Sequence, residues 1–354
     1  MLVSDITDNT RSVFPVPPTV KKRIQSVLLA SPTSSTFMRT RSLLIVGGIT
    51  LYAIVVRLFF GVRDLQGFFA VLSLSFLFCL PAIIGLITVY FFGNSDKIHN
   101  WTYCFFIPWV PIGSFMLLTL LTGLEGWACW LIILVPMLIT ASLGGLLGGY
   151  LKTRQHNRTH VLTLLLLPFL VSPIESQFAT PANTYRAYTC IDINAPADVI
   201  WRNVTRVRAI PEAQDKGWLT RFLGFPRPVE ALLNYEGVGA YREARFTNGL
   251  VFHETVTDYV DKRKMVFSIK AYPHEIPAAT LDEHIVIGGR YFDVLTGTYE
   301  LEKRGPTTYR LHLYSQFVLH TRINAYASWW ATQIMQDIQN NILQVEKLRS
   351  ETNS

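Results

Sequence analysis

Charged side chains are scarce in this sequence, and the scarcity is concentrated in its first half. Only 16% of the 354 residues are Asp, Glu, Lys or Arg, whereas soluble domains carry about 25%. Residues 1–180 hold 6 of the 25 acidic residues and 12 of the 32 basic ones. This composition excludes an acidic protein and a mainly disordered chain. It indicates a membrane region followed by a more soluble half.

Cysteine is also sparse, with four residues in the whole chain. Cys79, Cys104 and Cys129 lie in apolar runs, where a thiol behaves as a small hydrophobic side chain, and Cys190 stands alone in the polar half. We therefore expect no disulfide framework, no metal site and no cofactor. The net charge of +7 does not indicate nucleic acid binding, because the excess basic residues flank the apolar runs.

Four apolar runs are each long enough to cross a hydrocarbon layer of ~30 Å as a helix. They are Ser42–Phe60, Phe68–Gly93, Trp101–Gly123 and Trp127–Leu151. A fifth run, Val161–Pro173, is shorter and contains Pro168 and Pro173. It either spans with help from its flanks or lies in the membrane interface, and we favour spanning.

Basic residues set the expected orientation. The positive-inside rule places the polar leader, residues 1–41, and the loop Lys152–Arg158 on the cytoplasmic side. Five spans then put the C-terminal half outside the cytoplasm, whereas four would leave it inside. We predict an integral membrane protein of the bacterial inner-membrane type, in contact with the lipid bilayer, with an extracytoplasmic C-terminal domain.

Charged side chains are almost absent from the predicted spans. Arg57 is the only formal charge there, close enough to the end of its span to reach the headgroups. The absence of intramembrane carboxylates and histidines disfavours a proton-coupled transporter. Two overlapping GxxxG pairs, formed by Gly144, Gly145, Gly148 and Gly149, allow close approach of helices. Internal packing is the favoured interpretation, and homodimerisation the alternative.

After Pro173 the leucine runs give way to alternating apolar and polar residues, which mark a domain boundary. We divide the chain into the leader, a membrane domain at 42–175, a linker at 176–184, a soluble domain at 185–349 and a tail at 350–354. A strand at Tyr185–Asn194 precedes short helices near 197–204 and Val207–Gln214. Six further strands are predicted at Val229–Tyr235, Ala240–Thr247, Leu250–Tyr259, Met265–Ala271, Tyr291–Lys303 and Thr308–Thr321.

Two features constrain how these elements fold. Asn248-Gly249, between two strand-like runs, predicts a tight hairpin because both residues tolerate positive φ. The last element, Ile323–Leu348, carries apolar residues at spacings of three and four, which is the pattern of a long amphipathic helix. Its apolar face consists of Ile323, Tyr326, Trp330, Ile334, Ile338, Ile342, Val345 and Leu348. The order of elements predicts an α+β domain whose antiparallel sheet curves around the last helix.

Ile191–Trp201 reads IDINAPADVIW, and it is followed by the strand-like run Phe252–Tyr259 and by the closing helix. In these three features, residues 185–349 resemble the helix-grip superfamily of START, birch-pollen-allergen and polyketide-cyclase domains (SRPBCC). The resemblance implies a membrane α-helical bundle followed by an α+β helix-grip domain with a curved antiparallel sheet around a long C-terminal helix. Members enclose an apolar cavity between sheet and helix, and they use it for purposes from lipid carriage to ring closure, so fold alone leaves function open.

Alternation along Phe252–Tyr259 places Glu254 on the same face as Phe252 and Val256, toward the expected cavity. An inward carboxyl has a raised pKa and serves as an acid, a base or a ligand anchor. The other interpretation is an ion pair with Arg242, Arg245 or Arg290. We predict a cavity lined by five residues. They are Phe252, Glu254, Phe267, Tyr291 and Trp330.

Other polar and aromatic residues carry weaker signals. Tyr299 could offer its hydroxyl to a ligand, but packing is the more common role of a strand tyrosine. His253, His312 and His320 lack metal-ligand spacing, and no nucleophile elbow or nucleotide-binding loop is present. The aromatic segment Lys216–Pro228 resembles a lid that either covers the cavity mouth or dips into the bilayer.

Three functions remain open on the sequence. The first is membrane-anchored binding of an apolar or amphipathic small molecule, with a lipid among the candidates. The second is an enzyme of polyketide-cyclase type that uses Glu254 for proton transfer. The third is a structural or regulatory membrane protein whose cavity is filled by side chains.

Overall fold

The computed structural model describes residues 33–65, 68–93, 96–154, 158–272 and 287–352. Most of the predicted leader, part of the loop at 152–158 and the last two residues of the tail lie outside the described residues. The chain divides into two compact units, Met1–Gly48 and Ile49–Ser354. Helix α1 (Thr33–Phe60) begins in the first unit and ends in the second. The other elements described below belong to the second.

Helices account for most of the apolar half of the chain. After α1 they are α2 (Leu80–Phe92, preceded by a π-helical turn at Ser75–Cys79), α3 (Trp101–Phe106), α4 (Trp109–Leu121), α5 (Trp127–Thr153), α6 (Arg158–Thr163) and α7 (Leu167–Ser176). Short 3-10 turns lie at Arg63–Leu65 and Leu164–Leu166. The predicted third span is divided into α3 and α4 at Pro108, because proline lacks the N–H that a continuous helix needs.

Five helical stretches in the described residues are long and apolar enough to cross a membrane. They are Leu43–Phe60, Ser75–Phe92, Trp101–Leu121, Trp127–Thr153 and Thr159–Ser176. The fifth reaches 18 residues because helical backbone continues on both sides of the apolar run Val161–Pro173. The second begins at Ser75 rather than Phe68, since turns precede it.

The four glycines of the GxxxG pairs lie inside the helical bundle. A Cβ atom on Gly144 would lie 1.9 Å from the carbonyl oxygen of Ala82, and one on Gly148 would lie 2.3 Å from that of Leu86. A Cβ on Gly145 would lie 2.2 Å from the carbonyl oxygen of Cys104 in α3. The glycines therefore let α5 approach the backbones of α2 and α3 in the same chain, as internal packing requires.

Arg57 is buried rather than extended toward the headgroups. Its guanidinium forms an ion pair with Glu125, and it also donates a hydrogen bond of 2.8 Å to the carbonyl oxygen of Leu124. Only 7% and 3% of the Arg57 and Glu125 side chains are exposed. The end of α1 is thus tied to the turn between α4 and α5, and the expectation of a snorkelling side chain was wrong.

The C-terminal half is one antiparallel sheet with helices. Its elements are β1 (Asn183–Asn194), α8 (Ala197–Thr205), β2 (Arg206–Val207), α9 (Trp218–Leu223), β3 (Pro228–Leu233), β4 (Tyr241–Phe246), β5 (Val251–Val260), β6 (Lys264–Lys270), β7 (Phe292–Lys303), β8 (Thr308–Leu319) and α10 (Asn324–Thr352). The strands have the spatial order β1-β8-β7-β6-β5-β4-β3-β2, and every neighbouring pair is antiparallel. A curled sheet with a long C-terminal helix is the helix-grip fold, so the predicted fold class is confirmed.

The hairpin predicted in this half is present, but one of the predicted short helices is not. Asn248 and Gly249 have φ of 60° and 78° in the turn between β4 and β5, as the hairpin prediction requires. The predicted helix at Val207–Gln214 is wrong. Instead the chain forms the short strand β2, which pairs with β3, and a single 3-10 turn at Glu212–Gln214. Pro211, immediately before that turn, has extended backbone.

The core lies between the sheet and α10. Trp201 of α8, Phe267 of β6 and Leu343 of α10 belong to one buried cluster. On this side the helix also buries the polar residues Gln339 and Glu346. The buried surface of α10 therefore includes polar residues as well as members of the predicted apolar face.

Candidate ligand-binding site

A cavity of about 120 Å³ lies between the sheet and α10. Its walls are mainly apolar and come from strands β3 to β8, from α10 and from the chain preceding β3. An apolar cavity of ~150 Å³ binds benzene, and this space is of the same order. It is smaller than the ~300–1,000 Å³ of typical pockets for drug-sized ligands.

The structure brings three of the five predicted lining residues together. Phe252, Glu254 and Phe267 line the cavity. Tyr291 lies instead on a second cavity, at the junction with the N-terminal helices. Trp330 is not among the residues that line either space, although its indole N–H is buried and has no partner in the described part of the chain. That any of these residues bind a ligand remains a prediction.

Glu254 is held at the cavity wall by the register of β4 and β5. Arg242 lies directly opposite it in that register, and the Arg242 Nε is 2.9 Å from the Glu254 Oε2. Each side chain is 5% exposed. The inward orientation predicted by alternation is confirmed, and Arg242 is the one of three candidate arginines that forms the ion pair.

A second buried carboxyl, Glu346 of α10, lies near this ion pair and near Tyr299. We call Arg242, Glu254, Tyr299 and Glu346 the polar cluster. Glu346 is 1% exposed, and neither carboxylate oxygen has a hydrogen bond of good geometry in the described residues. Burial raises the pKa of Glu346 to about 8, against the lowering effects of Arg242, Tyr299 and Arg349. Burial therefore favours the protonated form of the Glu346 carboxyl.

The charges of the polar cluster come from Arg242 and the two carboxyls. Burial raises the pKa of Glu254 to about 7, against the lowering effect of Arg242. The Arg242 guanidinium also lies 5.1 Å from the centre of the Phe267 ring and 5.7 Å from that of Tyr299. With one carboxylate ionised and the other protonated, the cluster is neutral, which is the arrangement that burial favours.

Sequence reasoning missed Glu346. The residues that α10 buries at Gln339, Leu343, Glu346 and Ser350 have spacings of four, three and four, which is itself a helical face. A search for apolar periodicity does not detect this face because three of its four residues are polar. Gln339 is held there by Thr189 and Ser315, through hydrogen bonds of 3.1 and 2.8 Å.

The aromatic segment Lys216–Pro228 has one part that lines the cavity and another part that is exposed. Phe225, Pro226 and Pro228 line the cavity, as a lid over it would. Trp218 and Phe222 in α9 are 71% and 54% exposed. The Phe222 carbonyl accepts a hydrogen bond of 3.1 Å from the indole of Trp127, at the beginning of α5.

The base of this segment is fastened to α10. The backbone N–H and the hydroxyl of Thr220 both donate to Asp337, at 2.9 and 2.8 Å. Asn341 accepts from the Lys216 backbone N–H and donates to Asp215, each at 2.8 Å. One face of the segment therefore closes the cavity, while α9 presents two exposed aromatic side chains beside an apolar helix.

The histidines are placed apart. His253 lies within hydrogen-bond distance of Tyr241, His312 lies beside Tyr188 and Glu302, and His320 lines the second cavity. Within the described ranges, no group of three or more His, Cys, Asp or Glu side chains is arranged to hold a metal ion.

The pH dependence of stability should report on the two buried carboxyls. Both have folded pKa values above the ordinary value of 4.5, so the folded chain binds more protons than the unfolded chain. Stability should therefore be greatest below about pH 4.5 as far as these groups are concerned, and should fall as the pH rises to about 8.

The Glu346→Gln variant should flatten this fall, because its amide stays neutral. Thermal unfolding of the full chain in detergent at pH 5, 7 and 9 measures the effect, with Glu243→Gln, whose side chain is 39% exposed, as a control. An unchanged pH profile in Glu346→Gln would show that Glu346 is ionised throughout.

Known proteins provide a comparison for the C-terminal half only. No family model and no curated protein matches this chain. Among solved structures, a START superfamily protein from Mycobacterium smegmatis is 8% identical, covering 48% of this chain and 99% of its own, with a TM-score of 0.31. A protein from Nitrosospira multiformis is 15% identical, covering 48% and 98%, with a TM-score of 0.29. Norcoclaurine synthase from Thalictrum flavum, in complex with dopamine and hydroxybenzaldehyde, is 12% identical, covering 46% and 87%, with a TM-score of 0.28.

Proposed function

We propose that this chain is an integral membrane protein whose helix-grip domain binds a small amphipathic molecule beside the bilayer. The observation that carries the proposal is the cavity of about 120 Å³, with apolar walls and a buried ion pair of Arg242 and Glu254 at its surface. This combination fits a ligand with one ring-sized apolar body and one polar group. A complete diacyl lipid exceeds the cavity.

Membrane placement is supported by the five apolar helical stretches and by α9. Their lengths of 18 to 27 residues match a hydrocarbon layer of ~30 Å. Trp218 and Phe222 are exposed on α9, and the Phe222 ring lies 6.1 Å from that of Trp127. Indole rings favour the interface between lipid and water. A ligand that partitions into the bilayer would meet the lid segment there.

The orientation is tested by reporter fusions. We expect a fusion after Ser354 to be active only outside the cytoplasm, because five spans separate it from the basic leader. A reporter at the N-terminus should be active only inside. A C-terminal fusion active in the cytoplasm would show that Thr159–Ser176 does not cross.

Binding is tested with a ring-sized probe. In nanodiscs containing the full chain, we expect 4-fluorophenol to show broadening of its ¹⁹F resonance. Ile338→Phe should abolish the broadening because Ile338 lines the cavity and a benzyl side chain would fill it. Leu348→Phe is the matched control, since Leu348 lies on the same helix and is 50% exposed. Equal broadening in both variants would reject the cavity as the site.

A second candidate function is proton transfer, favoured by the position of Glu254. A carboxyl with a pKa of about 7 at a cavity wall is suited to act as a general acid or base. Binding and catalysis differ in their response to Glu254→Gln, which preserves shape. An enzyme would lose turnover of a bound substrate while retaining the probe, whereas a binding protein that anchors its ligand through Glu254 would lose the probe.

A further inference from the structure

A polar cavity of about 370 Å³ lies where the N-terminal helices meet the helix-grip domain. We call it the junction cavity. Its polar lining includes Ser73, Ser172, Glu175, Arg290, His320 and Arg322. It is separate from the cavity under α10.

An apolar groove of about 410 Å³ lies beside the junction cavity, between α5, α7 and the π-helical turn that leads into α2. We call it the lateral groove. Its lining includes Leu74, Cys79, Ala82, Thr140, Leu143 and Val171. Ser73 and Ser172 line the cavity while their chain neighbours Leu74 and Val171 line the groove, so the same two segments border both spaces.

The groove extends along the spans. From Leu74 to Ala82 the chain advances eight residues, or roughly 12 Å at the rise of a helix. Leu143 is 57% exposed and Leu74 is 41% exposed, so the groove is open on the side that faces away from the bundle. At this depth in a membrane, the surroundings are acyl chains.

The junction cavity has cationic character and a fixed framework. The Glu175 carboxylate accepts hydrogen bonds of 2.8 and 3.1 Å from the backbone N–H groups of Leu74 and Ser75, and it pairs with Arg322 at 3.0 Å. The charge of Glu175 is therefore engaged within the protein. Arg290 is exposed, and its guanidinium lies 5.4 Å from the centre of the Tyr291 ring.

The geometry points to a lipid with a phosphate headgroup, whose phosphate lies in the junction cavity against Arg290 and whose acyl chain lies in the lateral groove. A planar guanidinium matches the oxygens of a phosphate. The inference rests on the membrane placement proposed above, and it concerns a site distinct from the cavity under α10.

Native mass spectrometry of the full chain, released from nanodiscs containing phosphatidylglycerol, tests the inference. We expect one tightly retained phospholipid in the wild type. Arg290→Gln should weaken retention about tenfold or more, the loss expected when one charged hydrogen bond is removed. Arg202→Gln is the matched control, because Arg202 is an exposed arginine on α8.

A second pair of variants tests the groove. Leu143→Trp should displace the lipid by filling the groove, whereas Leu117→Trp should not, since Leu117 is similarly exposed at 53% but lies on α4. Inorganic phosphate distinguishes the two sources of the headgroup chemistry. If free phosphate is the ligand, it binds the wild type and Leu143→Trp equally, and the lipid inference is overturned.

Equal lipid retention in all four variants would also overturn the inference, because it would show that the lipid is merely part of the surrounding layer. The reporter fusions score membrane insertion independently. A chain that inserts and yet loses no lipid in Arg290→Gln therefore contradicts this site alone, while failure to insert contradicts the proposed function.

Discussion

Replacing both buried carboxyls, in the variant Glu254→Gln/Glu346→Gln, should destabilise the full chain by about 3–5 kcal/mol, because Arg242 would remain buried without a counter-charge. Either single substitution should cost much less. In each single variant the remaining carboxyl can ionise beside Arg242 and restore neutrality. The double variant should therefore lose more stability than the sum of the two singles.

Calorimetric unfolding of the full chain in detergent at pH 7 measures this non-additivity. The matched control is Glu230→Gln/Glu243→Gln, which removes the two carboxylates that pair with Arg245 at 3.2 and 3.0 Å. Arg245 is 56% exposed, so water replaces its partners and the loss should stay below about 1 kcal/mol. A loss in the buried double variant no larger than in this control would show that Arg242 does not depend on the cluster.

Substituting Gly144 by isoleucine should prevent the helical bundle from folding. The first side-chain atom alone would lie 1.9 Å from the backbone oxygen of Ala82, and a helix backbone cannot move aside as a flexible side chain can. The cost should exceed the about 1–3 kcal/mol of ordinary overpacking. We expect the variant to be recovered mainly as aggregate after detergent extraction.

Gly113→Ile is the control for this experiment, since a Cβ atom on Gly113 would meet no atom within 4 Å. Both variants add the same β-branched side chain to an apolar helix. Size-exclusion chromatography in detergent should show a single folded species for Gly113→Ile only. A well-folded Gly144→Ile protein would indicate that α2 and α5 are further apart than the structure places them.

Much of the fold could be predicted because its signals are local. The alternation around Glu254, the positive-φ pair Asn248-Gly249 and the apolar length of the spans each depend on a few neighbouring residues. The strand β2 could not be predicted in this way. Its two residues are defined by pairing with β3, which lies more than twenty residues further along the chain.

The candidate site was harder to predict from the sequence for a related reason. Alternation correctly turned Glu254 inward, but its partner Arg242 was one of three candidates until the register of β4 and β5 was known. Glu346 lies 92 residues beyond Glu254, on a helical face that is mostly polar. Tyr291 lines the junction cavity instead, and Trp330 lines neither that cavity nor the one under α10, because alternation and helical spacing predict the face of a residue but not the space that this face meets.

The ion pair of Arg57 with Glu125 has a consequence for the order of synthesis. The two residues are 68 positions apart in the chain, so at about 5–20 residues per second the ribosome needs roughly 3–14 s to supply the partner of Arg57. During that interval the first helix carries an uncompensated cation near its end. We therefore expect the first helix to reach its final packed position only after the turn before α5 has been synthesised. The bundle would then assemble in successive steps rather than by independent insertion of each helix.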